Sequence, residues 1–209
     1  MPVYIKMMIT AMLSVTAVIL YVIFPSDLRK NCMIAMLLSS VGDVFMVNTP
    51  KTGEYSTFIG AGFFIGAHIV YGGGFCREIR KKGKKVTGFP FYLGLGIMLL
   101  SAVLLGVVEF TISAEKKPVM FLLILVYIAA IGYNVCSEFA FSGYEKKLTL
   151  ILPFSVLLFY ITDVFIFLDM LKINDSLRQY VWYLYPVAQL MIILFNSTFT
   201  GKKPTFDHD

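Results

Sequence analysis

Residues 148–168 read LTLILPFSVLLFYITDVFIFL, an apolar run whose one charged side chain is Asp163. As a helix rising about 1.5 Å per residue, such a run covers the roughly 30 Å of hydrocarbon in a bilayer, and it is about twice as long as a barrel strand. Comparable runs occupy residues 3–24, 30–48, 57–77, 89–108, 119–141 and 179–199. The connections between them are short and carry the chain's punctuation, as in Pro25-Ser26-Asp27, Asn48-Thr49-Pro50-Lys51-Thr52-Gly53 and Asn174-Asp175-Ser176. The pattern predicts an all-α, polytopic transmembrane helix bundle of about seven helices, one integral membrane domain over residues 1–209. Composition agrees: 58% of residues are hydrophobic and 15% charged, against about 25% charged in soluble domains. A water-soluble globular fold is thereby excluded.

The net charge of +5 then speaks to topology before any nucleic-acid partner. Lys and Arg number 12 on the side holding the loops after runs one, three and five and the C-terminal tail, and 6 on the other. That bias predicts a cytoplasmic C-terminus and an N-terminus outside. Most of it comes from Arg77, Arg80, Lys81, Lys82, Lys84 and Lys85, which read as a cytoplasmic anchor facing anionic lipid. The first run is too long for a signal-peptide core and lacks a small-residue cleavage pattern, so it reads as a retained helix. Cys32, Cys76 and Cys136 have no CxxC spacing and read as small core residues. Gly62 and Gly66 form a GxxxG, read as ordinary helix packing.

The informative residues are those that lipid-embedded helices avoid. An ionisable side chain at depth costs roughly 2.5–3.5 kcal/mol on insertion scales. Lys6, Asp43, His68, Asp163 and the neutral Gln189 stand out. Counting along the helices puts Asp43 and Asp163 at one level, about 7–8 Å below the outer surface. The same count puts Lys6 at about 5 Å, and His68 and Gln189 about 16 Å down, near the midplane. Together they can line one polar pocket opening outward. The plainer alternative is interhelical hydrogen bonding alone, worth about 0.6 kcal/mol per group. Glu109, Glu115, Glu138, Asp169 and Asp175 fall near helix ends or loops and read as solvated or interfacial.

Several chemistries drop out by residue count. There is no GxSxG, and the two histidines, His68 and His208, are too few for a three-histidine zinc site. Ser39 and Ser40 lie one turn before Asp43, which makes them hydrogen-bond partners for it before nucleophiles. A His68–Asp43–Asp163 metal set has no spacing motif, so no metal and no cofactor is expected. The run 179–199 contains no lysine for a retinal Schiff base. Acid–base work by carboxyl groups survives, because a carboxyl in low dielectric can stay protonated and act as a general acid. Such chemistry suits bonds that break after protonation through an oxocarbenium ion, such as glycosides and vinyl ethers.

The stretch Ser39-Ser40-Val41-Gly42-Asp43, followed by Phe64-Ile65-Gly66-Ala67-His68-Ile69-Val70-Tyr71, resembles the paired "S-x-x-G-D" and "F-x-x-x-H-x-x-Y" helices of the YhhN-like lysoplasmalogenase family. Lys6 looks like that family's lysine at the head of its second helix. Tyr160-Ile161-Thr162-Asp163 looks like its "S-D" helix with Thr162 keeping the hydroxyl, and Tyr185-Pro186-Val187-Ala188-Gln189 looks like its closing "Y-x-x-A-Q" helix. The resemblance spans almost the whole chain. It departs in helix number, since the family usually has eight and the helix before the lysine has no counterpart here.

The resemblance implies a membrane hydrolase that cleaves the sn-1 vinyl ether of lysoplasmalogens, releasing a fatty aldehyde and glycerophosphocholine or glycerophosphoethanolamine. It implies Asp43 and Asp163 as the catalytic pair, with Lys6, Ser39, His68, Tyr71, Tyr185 and Gln189 binding or orienting the substrate. A lysophospholipid and the bilayer are then the partners, nucleic acid is not, and the location is a multi-pass integral protein of the cell membrane if bacterial. The rival reading is a proton- or cation-coupled transporter that uses the same intramembrane carboxylates.

Overall fold

The structure is a computed structural model that describes residues 1–112, 118–144, 151–170 and 177–199. Among these it is entirely helical, with α1 (Val3–Ile23), α2 (Asp27–Thr52), α3 (Glu54–Lys81), α4 (Phe89–Ile112), α5 (Pro118–Tyr144), α6 (Ile151–Met170) and α7 (Leu177–Phe199). Five segments of the described residues are long and apolar enough to cross a membrane: Val3–Ile23, Asp27–Val47, Tyr55–Lys81, Leu122–Tyr144 and Ile151–Asp169. The described part of α4 is apolar over Phe89–Leu100. The chain is an integral, multi-pass membrane protein.

Each of the seven runs is helical over its described residues, and several helices are longer than their apolar stretches. Helix α2 continues through Thr52, so the segment 48–52, expected as a connection, is helical. The reversal into α3 is left to Gly53, whose φ of 75° lies in the left-handed region open to glycine. Helix α3 continues to Lys81, so the start of the basic cluster is helical, and Lys81 pairs with Asp27 of α2 and with Glu78 (2.9 Å). Ser26 caps the start of α2, its Oγ accepting from the Arg29 N–H at 3.2 Å.

The helices pack as a ring in the order α1, α2, α3, α5, α6, α7 and back to α1, and α4 lies outside it against α5. Helix α1 shows the logic. Met8, Met12, Val15, Ile19 and Val22 form an exposed stripe at helical spacing, while Thr10, Leu13 and Ala17 turn inward. Lipid is as apolar as leucine, so the inward faces associate through small residues and polar contacts rather than through a hydrophobic drive. Ala35, Ala67 and Ala188 are fully buried. Helices α2 and α3 approach closely where a Cβ on Gly42 would lie 3.1 Å from the Gly60 carbonyl oxygen and 2.9 Å from the Phe64 ring. The GxxxG pair does not make this contact: Gly62 faces open space, and a Cβ on Gly66 would reach only Leu38, at 3.6 Å. Cys32, Cys76 and Cys136 are free thiols buried in the interior, as expected of core residues.

Candidate active site

Asp43 projects from α2 into the ring and is 4% exposed. Its Oδ2 accepts from the Thr10 hydroxyl of α1 at 2.9 Å and from the Tyr185 hydroxyl of α7 at 3.0 Å. Ser39 and Ser40, expected as partners of this carboxylate, are not the groups that hold it. Ser40 turns towards α1, pairing with Ser14 and donating to the Met36 carbonyl (2.9 Å). Ser39 is fully buried and its Oγ has no hydrogen-bond partner among the described residues. Spacing put the two serines near Asp43, but the rotation of α2 about its axis decides which neighbour each one meets.

Asp163 reaches the same interior from α6. Its Oδ2 is 3.4 Å from His68 Nε2 of α3, and Tyr127 of α5 flanks it, yet neither carboxyl oxygen closes a hydrogen bond of normal geometry among the described residues. His68 is fully buried, its ring tilted against Phe159 at 4.9 Å between centroids and edge-on to Tyr127 at 5.7 Å. Asn134 Nδ2 of α5 lies 3.4 Å from its other ring nitrogen, Nδ1. The two carboxyl groups act electrostatically on one another. The Phe159 ring, which also packs against Tyr185 (5.6 Å), stands between their partners.

Asp163 is the ionisable floor of an otherwise apolar cavity of about 70 Å³ between α3, α5 and α6, walled by Phe64, Ile131, Tyr160, Val164 and Phe167. That is room for about two water molecules or a short length of hydrocarbon. Just beside it on α5, Leu122, Leu125 and Val126 are exposed on the lipid-facing surface.

The other expected residues line the same interior. Tyr71 donates to Gln189 Oε1 at 2.9 Å, and Gln189 lies one turn after Tyr185 on α7. Lys6 Nζ sits 4.9 Å over the ring of Trp182, one turn before Tyr185 on α7, while Thr10 follows Lys6 by one turn on α1. The lysine thus forms a layer above the Thr10–Asp43–Tyr185 contacts. His68 and Asp163, which helix counting put at different levels, meet through their side chains.

Three contributors escaped the sequence reading: Thr10, Tyr127 and Asn134. All are neutral, and the available signal was spacing, since Thr10 follows Lys6 by four residues and Asn134 follows Tyr127 by seven. Glu138 is a correction. Expected at the interface within reach of water, it is 0% exposed, because α5 runs on to Tyr144 and the extended α3 packs beside it. Glu115 and Asp175 lie outside the described residues, as does the side chain of Glu109, while Asp169 is half-buried.

The arrangement supplies two carboxyl groups with unlike surroundings, one gripped by hydroxyls and one loosely paired with His68 beside a largely apolar cavity. No curated protein and no solved structure gives a significant match to this sequence. The model of the YhhN family matches residues 1–196, and the chain belongs to that family.

Proposed function

We propose that the protein hydrolyses the sn-1 vinyl ether of lysoplasmalogens, with Asp163 as general acid and Asp43 as the group that handles water. The observation that carries this reading is a buried carboxyl, paired only at 3.4 Å with His68 and with neither oxygen in a hydrogen bond of normal geometry among the described residues, beside a largely apolar cavity. An alkenyl chain entering beside α5 brings its first carbons to that carboxyl.

The steps balance as follows. Asp163 gives its proton to the second carbon of the alkenyl chain, and the ether carbon becomes an oxocarbenium ion. Water adds to that carbon as Asp43 takes its proton, giving a hemiacetal. Asp43 returns the proton to the glycerol oxygen as the bond to carbon breaks, and the hemiacetal hydroxyl proton restores Asp163. One water is consumed, and a fatty aldehyde and a glycerophospho-alcohol leave. General acid catalysis of this kind contributes about 10²–10⁴ in rate. His68 Nε2, 3.4 Å from Asp163 Oδ2, is placed to stabilise the carboxylate left after proton transfer, and Lys6 over Trp182 is placed towards the headgroup end.

The test is aldehyde release from lysoplasmenylethanolamine and lysoplasmenylcholine by purified protein, with the saturated ether lysolipid as control. Wild type is expected to release aldehyde from the vinyl ethers only, and Asp43→Asn and Asp163→Asn to fold but fail. Absence of aldehyde from folded wild type, with solute flux across sealed vesicles, would replace this reading with the transporter.

A further inference from the structure

We propose that Glu138 is a positioning residue that fixes the tautomer of His68 through Asn134. The side chain is fully buried on α5, and no ion pair among the described residues includes it. Neither of its carboxyl oxygens, nor Asn134 Oδ1, closes a hydrogen bond of normal geometry among the described residues, yet the carboxyl lies close enough to the Asn134 side chain to interact with it. The two residues are four apart on one helix, so they share a face. An ionised carboxylate buried in a bilayer without a cation is costly, and the neutral acid is the form these surroundings accept.

As the neutral acid, Glu138 has one O–H to give and Asn134 Oδ1 one acceptor to fill. That bond satisfies both groups and holds the amide with Nδ2 towards His68, where it lies 3.4 Å from Nδ1. A ring nitrogen that accepts a hydrogen bond carries no proton, so the proton of neutral His68 resides on Nε2. Nε2 is the nitrogen that faces Asp163 Oδ2 at 3.4 Å. The chain from Glu138 through Asn134 and His68 therefore ends in an N–H aimed at the carboxyl that gives up a proton in the proposed reaction. Without the Glu138 bond the amide is free to turn its oxygen to Nδ1, which moves the proton there and leaves Asp163 facing a lone pair.

The kinetic part of this inference rests on the proposed hydrolysis, but the tautomer does not. The sequence has two histidines, so His208→Gln leaves His68 alone in the spectrum of histidine-selective ¹⁵N-labelled protein. The Nε2–H tautomer is expected in that background and in Glu138→Gln, whose amide can donate as the acid does. Glu138→Leu, which leaves the Asn134 amide free to turn its oxygen to Nδ1, is expected to populate the Nδ1–H form, and should Glu138→Leu not fold, Glu138→Met carries the same test. In turnover, Glu138→Leu should lose about tenfold or more in kcat with KM little changed, and Glu138→Gln should stay near wild type. An unchanged tautomer in folded Glu138→Leu or Glu138→Met overturns the inference. So does a Glu138→Gln enzyme as slow as Glu138→Leu with its tautomer intact, since Glu138 would then be moving a proton itself. A folded wild type without aldehyde release would defeat the hydrolase reading while leaving the tautomer result to decide this one.

Discussion

The hydroxyl grip on Asp43 can be weakened without opening a cavity. Thr10→Val replaces the donor at 2.9 Å by a methyl of similar size, and Tyr185→Phe removes the donor at 3.0 Å while leaving the ring that packs on Phe64, Phe159 and Trp182. Both bonds end on the same oxygen, Oδ2, so together they fix the plane of the carboxyl and the direction in which its other oxygen meets water. A hydrogen bond to a charged group contributes about 1.5–3 kcal/mol. Each single variant should therefore lose on the order of tenfold to a hundredfold in kcat. The double variant, whose Asp43 keeps neither donor, should approach the 10²–10⁴ loss typical when a general acid or base is removed. Aldehyde release measured at saturating lysoplasmenylethanolamine reads kcat directly, and thermal unfolding in the same detergent should show all three variants folded. A double variant turning over within about threefold of wild type would refute the assignment of Asp43 to water, because its only visible anchoring would be dispensable.

Two further outcomes test the packing around the site. Gly42→Ala would place a methyl 2.9 Å from the Phe64 ring and 3.1 Å from the Gly60 carbonyl oxygen, and overpacking of this kind costs about 1–3 kcal/mol. It should lower the unfolding midpoint measurably, whereas Gly62→Ala, which meets nothing within 4 Å, should not. Val164→Phe pushes a ring into the cavity of about 70 Å³ above Asp163. If the alkenyl chain lies there, excluding two methylenes at about 0.8 kcal/mol each should raise KM on the order of tenfold for long chains and less for short ones. An equal effect at every chain length would place the chain elsewhere.

Much of this architecture was legible because lipid imposes a simple rule on sequence. Residues 148–168 had to be a helix, and so did the six runs like it, since nothing else satisfies their backbone in hydrocarbon. The rule is blind where helices leave the hydrocarbon. The last turn of α3 carries Arg80 and Lys81, and α2 opens on Asp27, so hydropathy ended both too early and missed that Gly53 alone makes the reversal. Burial suffered in turn, which is why Glu138 was placed within reach of water although it is 0% exposed. Asp43, Asp163, His68 and Gln189 could be singled out because each is expensive where it stands. Thr10, Tyr127 and Asn134 could not, because a neutral polar side chain in a membrane helix is common enough to carry no signal until its partner is known. Rotation about the helix axis, which sends Ser40 to Ser14 rather than to Asp43, has no counterpart in spacing at all.

The division of labour among the helices follows from the same solvent. Each of α1, α2, α3, α5, α6 and α7 contributes at least one polar group to the interior, and these six close the ring; among the described side chains none of the site residues lies on α4, which packs outside against α5. Helices in lipid associate by close contact and by polar pairing rather than by hiding apolar surface, so the six helices that carry these polar groups are the ones that close the ring. The contacts that close the ring are then the contacts that shape the site: Thr10 ties α1 to α2 through Asp43, Tyr185 ties α7 to α2 through the same oxygen, and Tyr71 ties α3 to α7 through Gln189. What such pairing leaves over is informative. Asp163 is held more loosely: its contact to His68 is 3.4 Å, and neither oxygen closes a hydrogen bond of normal geometry among the described residues. An unsatisfied buried group costs about 1–3 kcal/mol, and such a cost at this position supports the proposal that the carboxyl does chemistry in addition to joining α6 to α3.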